Sequence, residues 1–244
     1  MFKRFLFLIV VLSSVIAYSQ TYVSLGVGYG ISSASEIINT KATVNGEQNV
    51  YGTLGSGLNI EGAVGNMMNE NFGLELGLSY KSGASMAGTD AASRSPLLVT
   101  YDTKVYGSYF GINPSVVVST KISSIAPYAK FGFILAFPSA TMENSEPGFA
   151  TKYEMSGGMA FGYTGAVGVK FGADKLQFFA ELGLTSLSWA PTKVKYTSPS
   201  GSTEVDLKDE DPAYTPGTTI TSQRLSQMIP FSNIGLNVGV RLVL

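Results

Sequence analysis

The stretch FGLELGLSY, residues 72–80, alternates without a break: Phe72, Leu74, Leu76, Leu78 and Tyr80 fall on one side, and Gly73, Glu75, Gly77 and Ser79 on the other. A period of two is the side-chain period of a β-strand. The same signature recurs along the chain. Val23, Leu25, Val27, Tyr29 and Ile31 oppose Ser24, Gly26, Gly28 and Gly30. Phe131, Phe133, Leu135 and Phe137 oppose Lys130, Gly132 and Ala136. Leu176, Phe178, Ala180, Leu182 and Leu184 oppose Gln177, Glu181, Gly183 and Thr185, and Ile234, Leu236, Val238, Val240 and Leu242 oppose Gly235, Asn237, Gly239 and Arg241.

The pattern predicts strands over residues 22–34, 56–66, 71–83, 104–119, 126–138, 157–172, 176–190 and 231–244. The connections between them alternate in length. Residues 35–55, 84–103, 139–156 and 191–229 are long and rich in Ser, Thr, Gly, Asn and Pro, whereas 67–70, 120–125 and 173–175 are short. This asymmetry is that of an up-and-down barrel in an outer membrane, with tight turns on the periplasmic side and long loops outside. The expected fold is therefore all-β, a closed eight-stranded antiparallel up-and-down transmembrane β-barrel with both termini in the periplasm.

Alternation alone does not distinguish a membrane barrel from a soluble lipid-binding barrel, whose apolar face points inward. Three features favour lipid outside. The face opposite the aliphatics is crowded with glycine and alanine, as the narrow interior of eight strands requires, and a soluble surface would carry Lys and Glu there instead. That face also carries a few nearly balanced charges, Glu61, Glu75 and Glu181 against Lys81, Lys130, Lys170 and Arg241. Six of them, all but Lys81, lie close to the periplasmic strand ends and are expected to form one ion-paired layer, because a buried charge is costly without a partner. Finally, Phe72, Tyr80, Tyr106, Phe171 and Phe178 lie near strand ends, where aromatic girdles meet lipid headgroups.

Residues 1–19 read as a signal peptide, with Lys3 and Arg4, the apolar run 5–12 and the small residues Ala17 and Ser19 before a cleavage point. The barrel domain is then 20–244. With 28 glycines and 14% charged residues, the 244-residue chain is poorer in charge than a soluble domain, which carries ~25%. Loss of Lys3 and Arg4 from the 16 basic residues leaves 14 against 17 acidic ones. That balance does not suit nucleic acid, whose phosphates demand a basic face. No linker divides the chain, and it has no cysteine, hence no disulfide and no lipidated cysteine.

The absence of histidine and cysteine removes Ser-His-Asp and Cys-His machinery and the usual transition-metal ligands. The sequence assigns no catalytic, cofactor-binding or metal residues, and the chain reads as a protein other than an enzyme. GVGYG at 26–30 lies inside a strand with no helix after it, so it fails the context a phosphate loop needs. Asp206, Asp209, Glu210 and Asp211 offer oxygen ligands for a divalent cation, but their spacing is not that of a calcium loop, and a solvated loop is the plainer reading. The inner charges have two readings, structural pairing or the lining of a pore.

The architecture and the closing stretch NIGLNVGVRLVL, residues 233–244, resemble the small eight-stranded outer-membrane β-barrels of Gram-negative bacteria, the OmpA/OmpX-like and related families. The resemblance covers 22–244. It implies contact with outer-membrane lipid and lipopolysaccharide and insertion by the barrel-assembly machinery, which reads a closing strand; here that strand finishes in Leu244, where the family usually has an aromatic. Enzymes of that group rely on histidine, so none of their activities carries over. The expected function is a barrel with a side-chain-filled lumen and a structural or surface-binding role, docking a ligand or protein at its outer loops. The alternatives are a small porin or ligand-conducting channel, and a subunit of an envelope secretion or assembly machine.

Overall fold

The computed structural model describes residues 20–33, 36–43, 46–94, 97–120, 125–146, 148–173, 175–209 and 224–244. The signal-peptide reading over 1–19 and the acidic residues Glu210 and Asp211 lie outside them. Eight strands form the barrel: β1 Gln20–Ser32, β2 Gly57–Met67, β3 Phe72–Gly83, β4 Leu97–Ser119, β5 Ile125–Glu146, β6 Ala160–Gly172, β7 Leu176–Trp189 and β8 Asn233–Val243. Each pairs antiparallel with its neighbours in sequence. The ring closes where β1 meets β8, with Val23 opposite Leu242 and Ile31 opposite Ile234. Closure leaves no barrel strand with an unpaired edge, the condition for a sheet to cross hydrocarbon.

The barrel is apolar side out. Leu25 is 61% exposed, Phe131 62% and Leu236 60%, whereas Glu181 and Arg241 on the opposite face are each 3% exposed. Exposed aliphatic and aromatic side chains occur on all eight strands, far more than the few hundred Å² of apolar patch a soluble monomer shows. From Val23 to Ile31 the belt runs eight residue steps, or ~27 Å along the strand at ~3.4 Å per residue. Tilted ~40°, that covers ~21 Å of membrane depth, close to the ~25 Å band of such barrels.

The belt stops abruptly on β4 and β5, the two strands that run well past it. Going outward, the cross-strand pair Phe110 and Phe137 gives way to Ser108 and Ser139, then Tyr106 and Thr141, then Lys104 and Glu143. Strand geometry continues while side-chain chemistry changes from lipid to water. The stretches 84–103 and 139–156 are therefore largely strand rather than loop.

Further strands lie on that same side, opposite the termini. Met86–Arg94 pairs with the start of β4, Phe149–Ser156 with the end of β5, Lys193–Ser198 with Phe149–Ser156, and Gly201–Lys208 with Lys193–Ser198. Together they make an open sheet standing beyond the belt. A hairpin of Glu36–Thr43 and Gly46–Gly52 forms a separate two-stranded sheet.

Candidate functional site

The lumen is layered, and each layer follows from what alternation delivers to the inner face. Nearest the termini is a lattice of ion pairs. Lys130 on β5 reaches Glu75 Oε1 at 3.2 Å and Glu181 Oε2 at 2.9 Å. Glu75 also accepts a hydrogen bond from the Tyr22 hydroxyl at 2.8 Å and faces the Arg241 guanidinium at 3.5 Å. Glu181 accepts from the Tyr128 hydroxyl at 2.7 Å and from Asn237 Nδ2 at 3.3 Å. The Arg241 guanidinium carbon lies over the Tyr22 ring, 3.8 Å from its centroid, with the Tyr128 centroid at 5.6 Å. Two carboxylates and two cations thus balance one another in a space nearly closed to water, where neither sign would be tolerated alone, while Arg241 Nε is buried without a partner among the described residues.

Four of the seven inner charges, Glu75, Lys130, Glu181 and Arg241, meet in this lattice, and three do not. Glu61 makes no ion pair within 4 Å among the described residues; Asn59 Nδ2 lies 3.5 Å from its Oε2. Lys170 is buried with its ammonium 5.4 Å from the Tyr128 ring centroid. Lys81 is 1% exposed and makes neither an ion pair nor a hydrogen bond with any described residue. The cation that serves Glu181 is Lys130, rather than Lys170 or Arg241 on its flanking strands. The register explains this, because the residues directly opposite Glu181 are Gly168 and Asn237.

Sequence reasoning named the charges and missed their aromatic partners. Tyr22 and Tyr128 share the parity of Ser24 and Lys130, so an aromatic ring on a glycine-rich face was the available signal. The glycines make room for these rings: a Cβ on Gly65 would overlap Tyr22, and one on Gly239 would overlap Phe179, which is also buried inside.

Above the lattice lies a polar chamber of about 70 Å³, lined among others by Glu61, Ser79, Lys81, Asn113, Asn233 and Asn237. Asn113 donates to Ser79 Oγ at 3.0 Å, while its own Oδ1 is buried without a partner among the described residues.

The outer end of the lumen is closed by an apolar plug of Leu54, Val105, Tyr109, Ile134, Ala136, Ala140, Ala160, Leu187, Trp189 and Phe231. Phe231, fully buried, meets Tyr109 edge-on at 5.8 Å and Trp189 edge-on at 6.1 Å. Trp189 Nε1 donates to the Gly157 carbonyl at 2.9 Å, so the indole is satisfied as well as packed. Leu54 and Phe231 come from connections that fold inward and lock together. Leu54 N donates to Pro230 O at 3.0 Å, Phe231 N to Leu187 O at 2.8 Å, and Thr53 Oγ1 to Ser232 O at 2.6 Å. Gly55 crosses the Phe231 carbonyl so closely that any side chain there would strike it.

The projecting sheet has two unlike faces. Its outer face is a checkerboard, with Lys104, Glu143 and Lys152 opposite one another in one row and Glu154, Lys195 and Glu204 in the next. Lys152 bonds Glu154 at 2.9 Å and Lys193 bonds Glu204 at 3.0 Å. The hydrogen bond from Lys152 holds the Glu154 carboxyl below its usual range, and the one to Glu204 pushes the Lys193 ammonium up. The other face carries Met142, Tyr153 and Tyr196 in register, the two tyrosine rings 5.1 Å apart. Beyond Lys193–Ser198, the strand Gly201–Lys208 is joined among the described residues by a short parallel pairing of Leu207 and Lys208 with Arg224 and Leu225.

No protein-family model matches the chain, and no curated protein matches it in sequence. Among solved structures, it is similar over 93% of its length to the whole of a major outer membrane protein from Thermus thermophilus, with 11% identity and a TM-score of 0.52. The attachment invasion locus protein Ail of Yersinia pestis aligns over 92% of this chain and 96% of its own at 9% identity, with a TM-score of 0.33, too loose a superposition to argue from. The likeness to the Thermus protein is one of fold: this chain is built as an outer-membrane β-barrel.

Proposed function

We propose that the protein is an integral outer-membrane barrel, exported by a cleaved signal peptide, whose sealed interior serves as an anchor and whose projecting sheet docks a ligand or protein at the cell exterior. The observation that carries the reading is the unequal length of the barrel wall. β4 and β5 continue past the lipid belt and recruit four more strands into a sheet that has no part in crossing the membrane. Building and holding a folded sheet above the bilayer has an entropic cost, and a binding surface is what such a sheet offers: a charged face and a tyrosine-bearing face.

The lumen supports an anchor in preference to a pore. A conducting path would have to pass both the Glu75–Lys130–Glu181 lattice and the plug around Trp189 and Phe231. The same lattice commits its carboxylates to cations, which suits a structural role rather than acid–base catalysis. Insertion by the barrel-assembly machinery and contact with lipopolysaccharide belong to the same reading.

The test combines two measurements on the full chain. Reconstituted protein in planar bilayers is expected to be electrically silent, and a steady ion current would favour the channel. A photo-crosslinking residue at Tyr196, in living cells, is expected to capture an extracellular molecule. Reproducible capture of envelope proteins instead would support a role within an envelope machine.

A further inference from the structure

We infer that the chamber in the barrel lumen is a binding site for a small monovalent anion of the halide class, held by the Lys81 ammonium. The inner face carries four cations and three carboxylates, and the structure allocates them unequally. Glu75 and Glu181 are taken up by Lys130 and Arg241. Glu61, the third carboxylate, lines the chamber without an ion pair within 4 Å among the described residues. Lys81 has no carboxylate within 4 Å among the described residues. It is among the most completely buried side chains of the molecule, and it borders the polar chamber.

A buried ammonium without a counter-charge is expensive to maintain. Lys170, the other cation outside the lattice, differs in having the Tyr128 ring beneath it and a place near the terminal end of the barrel. Lys81 instead borders the polar chamber, with no aromatic ring beneath its ammonium among the described residues. Directly across from it on β2 is Asn59, a neutral residue. Gly30 is the wall on its other side: a Cβ there would collide with both the Lys81 ammonium and the Asn233 amide oxygen.

The chamber's size and lining fit the guest. At ~10–15 Å³ per water-sized guest, 70 Å³ admits about five, enough for one halide and the waters that complete its shell. The Ser79 hydroxyl, the Asn113 amide hydrogen not given to Ser79 and the Lys81 ammonium are the available donors, Asn59 Nδ2 being engaged by Glu61 and Asn237. A divalent anion would overshoot the deficit of one charge, and a bulky one would not pass the lattice. Water bridging Lys81 to Glu61 is the rival occupant.

The experiment uses bromide as the probe on the full-length folded barrel in detergent. Crystals grown in bromide should show an anomalous peak in the chamber at contact distance from Lys81 Nζ. At equal ionic strength, the urea midpoint should be higher in sodium bromide than in sodium gluconate. Asn59→Asp supplies a carboxylate opposite Lys81; it should remove the peak and make the two midpoints coincide. Absence of a peak in the unmutated barrel overturns the inference, as does a peak or an anion-dependent midpoint that persists in Asn59→Asp. Should that variant fail to fold, the anomalous map of the unmutated barrel decides alone.

Discussion

Removing the charge of Glu75 should destabilise the barrel more than removing that of any other inner carboxylate. Glu75 is the shared counter-charge of the lattice. It meets Lys130 at 3.2 Å and Arg241 at 3.5 Å and accepts the Tyr22 hydroxyl at 2.8 Å, with its own side chain 4% exposed. In Glu75→Gln, Lys130 keeps Glu181 at 2.9 Å, but Arg241 loses its only ion-pair partner among the described residues while remaining 3% exposed. Breaking a buried pair by removing one member costs ~3–5 kcal/mol. Stacking on Tyr22 retains part of the attraction for the guanidinium, about 0.5–2 kcal/mol, and sets the lower end of that range as the expectation. Glu181→Gln should cost less, ~1.5–3 kcal/mol, the worth of hydrogen bonds to a charged group, because Lys130 keeps Glu75. Glu143→Gln, on the exposed sheet, should stay within ~1 kcal/mol. Equilibrium urea unfolding in lipid vesicles, followed by the shift in gel mobility of the folded barrel, measures all three. A loss below ~1 kcal/mol for Glu75→Gln, or an equal loss for Glu143→Gln, would refute the assignment of the lattice as a stabilising element.

Other consequences follow from the same layers. Leu76→Arg places a guanidinium on the lipid-facing row of β3 and should cost ~2–4 kcal/mol at mid-depth; an unchanged unfolding free energy in lipid would contradict the outward placement of that row. Phe231→Ala removes the centre of the plug and should cost ~3–5 kcal/mol. The same variant should remain non-conducting, because the lattice still blocks the terminal half of the lumen, and appearance of a steady current would show the plug to be the only seal.

The eight barrel strands were legible because lipid imposes a harsh contrast on every second residue. On β3 the outward residues are Phe, Leu, Leu, Leu and Tyr and the inward ones Gly, Glu, Gly and Ser, and the structure places them on those faces. Legibility ended where the contrast did. Residues 139–156 carry alternation that faces water on one side and a partly exposed surface on the other, as in Thr141, Glu143 and Ser145 against Met142 and Asn144, so nothing in their polarity announced a strand. The plug was hidden for a related reason. Leu54 and Phe231 are isolated apolar residues in or beside connecting segments, and only the folded chain shows that their segments turn back into the lumen.

The inner charges illustrate a finer limit. Period two tells which face Glu181 occupies but not the height of its neighbours, which depends on how the sheet staggers as it closes. Hence the seven charged residues were identifiable from sequence, while the actual partnerships, Lys130 bridging Glu75 and Glu181 with Tyr22 and Tyr128 as donors, required the register. The same consideration exposes Lys81, whose isolation is invisible in a nearly balanced list of charges.

Bulky apolar groups face acyl chains while the lumen is closed to them. Trp189 is the only tryptophan in the chain and lies fully buried in the plug. Phe133 lies on the outer wall. Fluorescence quenching by phospholipids brominated near the acyl-chain centre therefore tests the claim directly. Native Trp189 should be nearly unquenched, and a Trp189→Phe, Phe133→Trp protein strongly quenched. Strong quenching of Trp189 together with a protected tryptophan at 133 would mean that the barrel is turned the other way, and the account would fail.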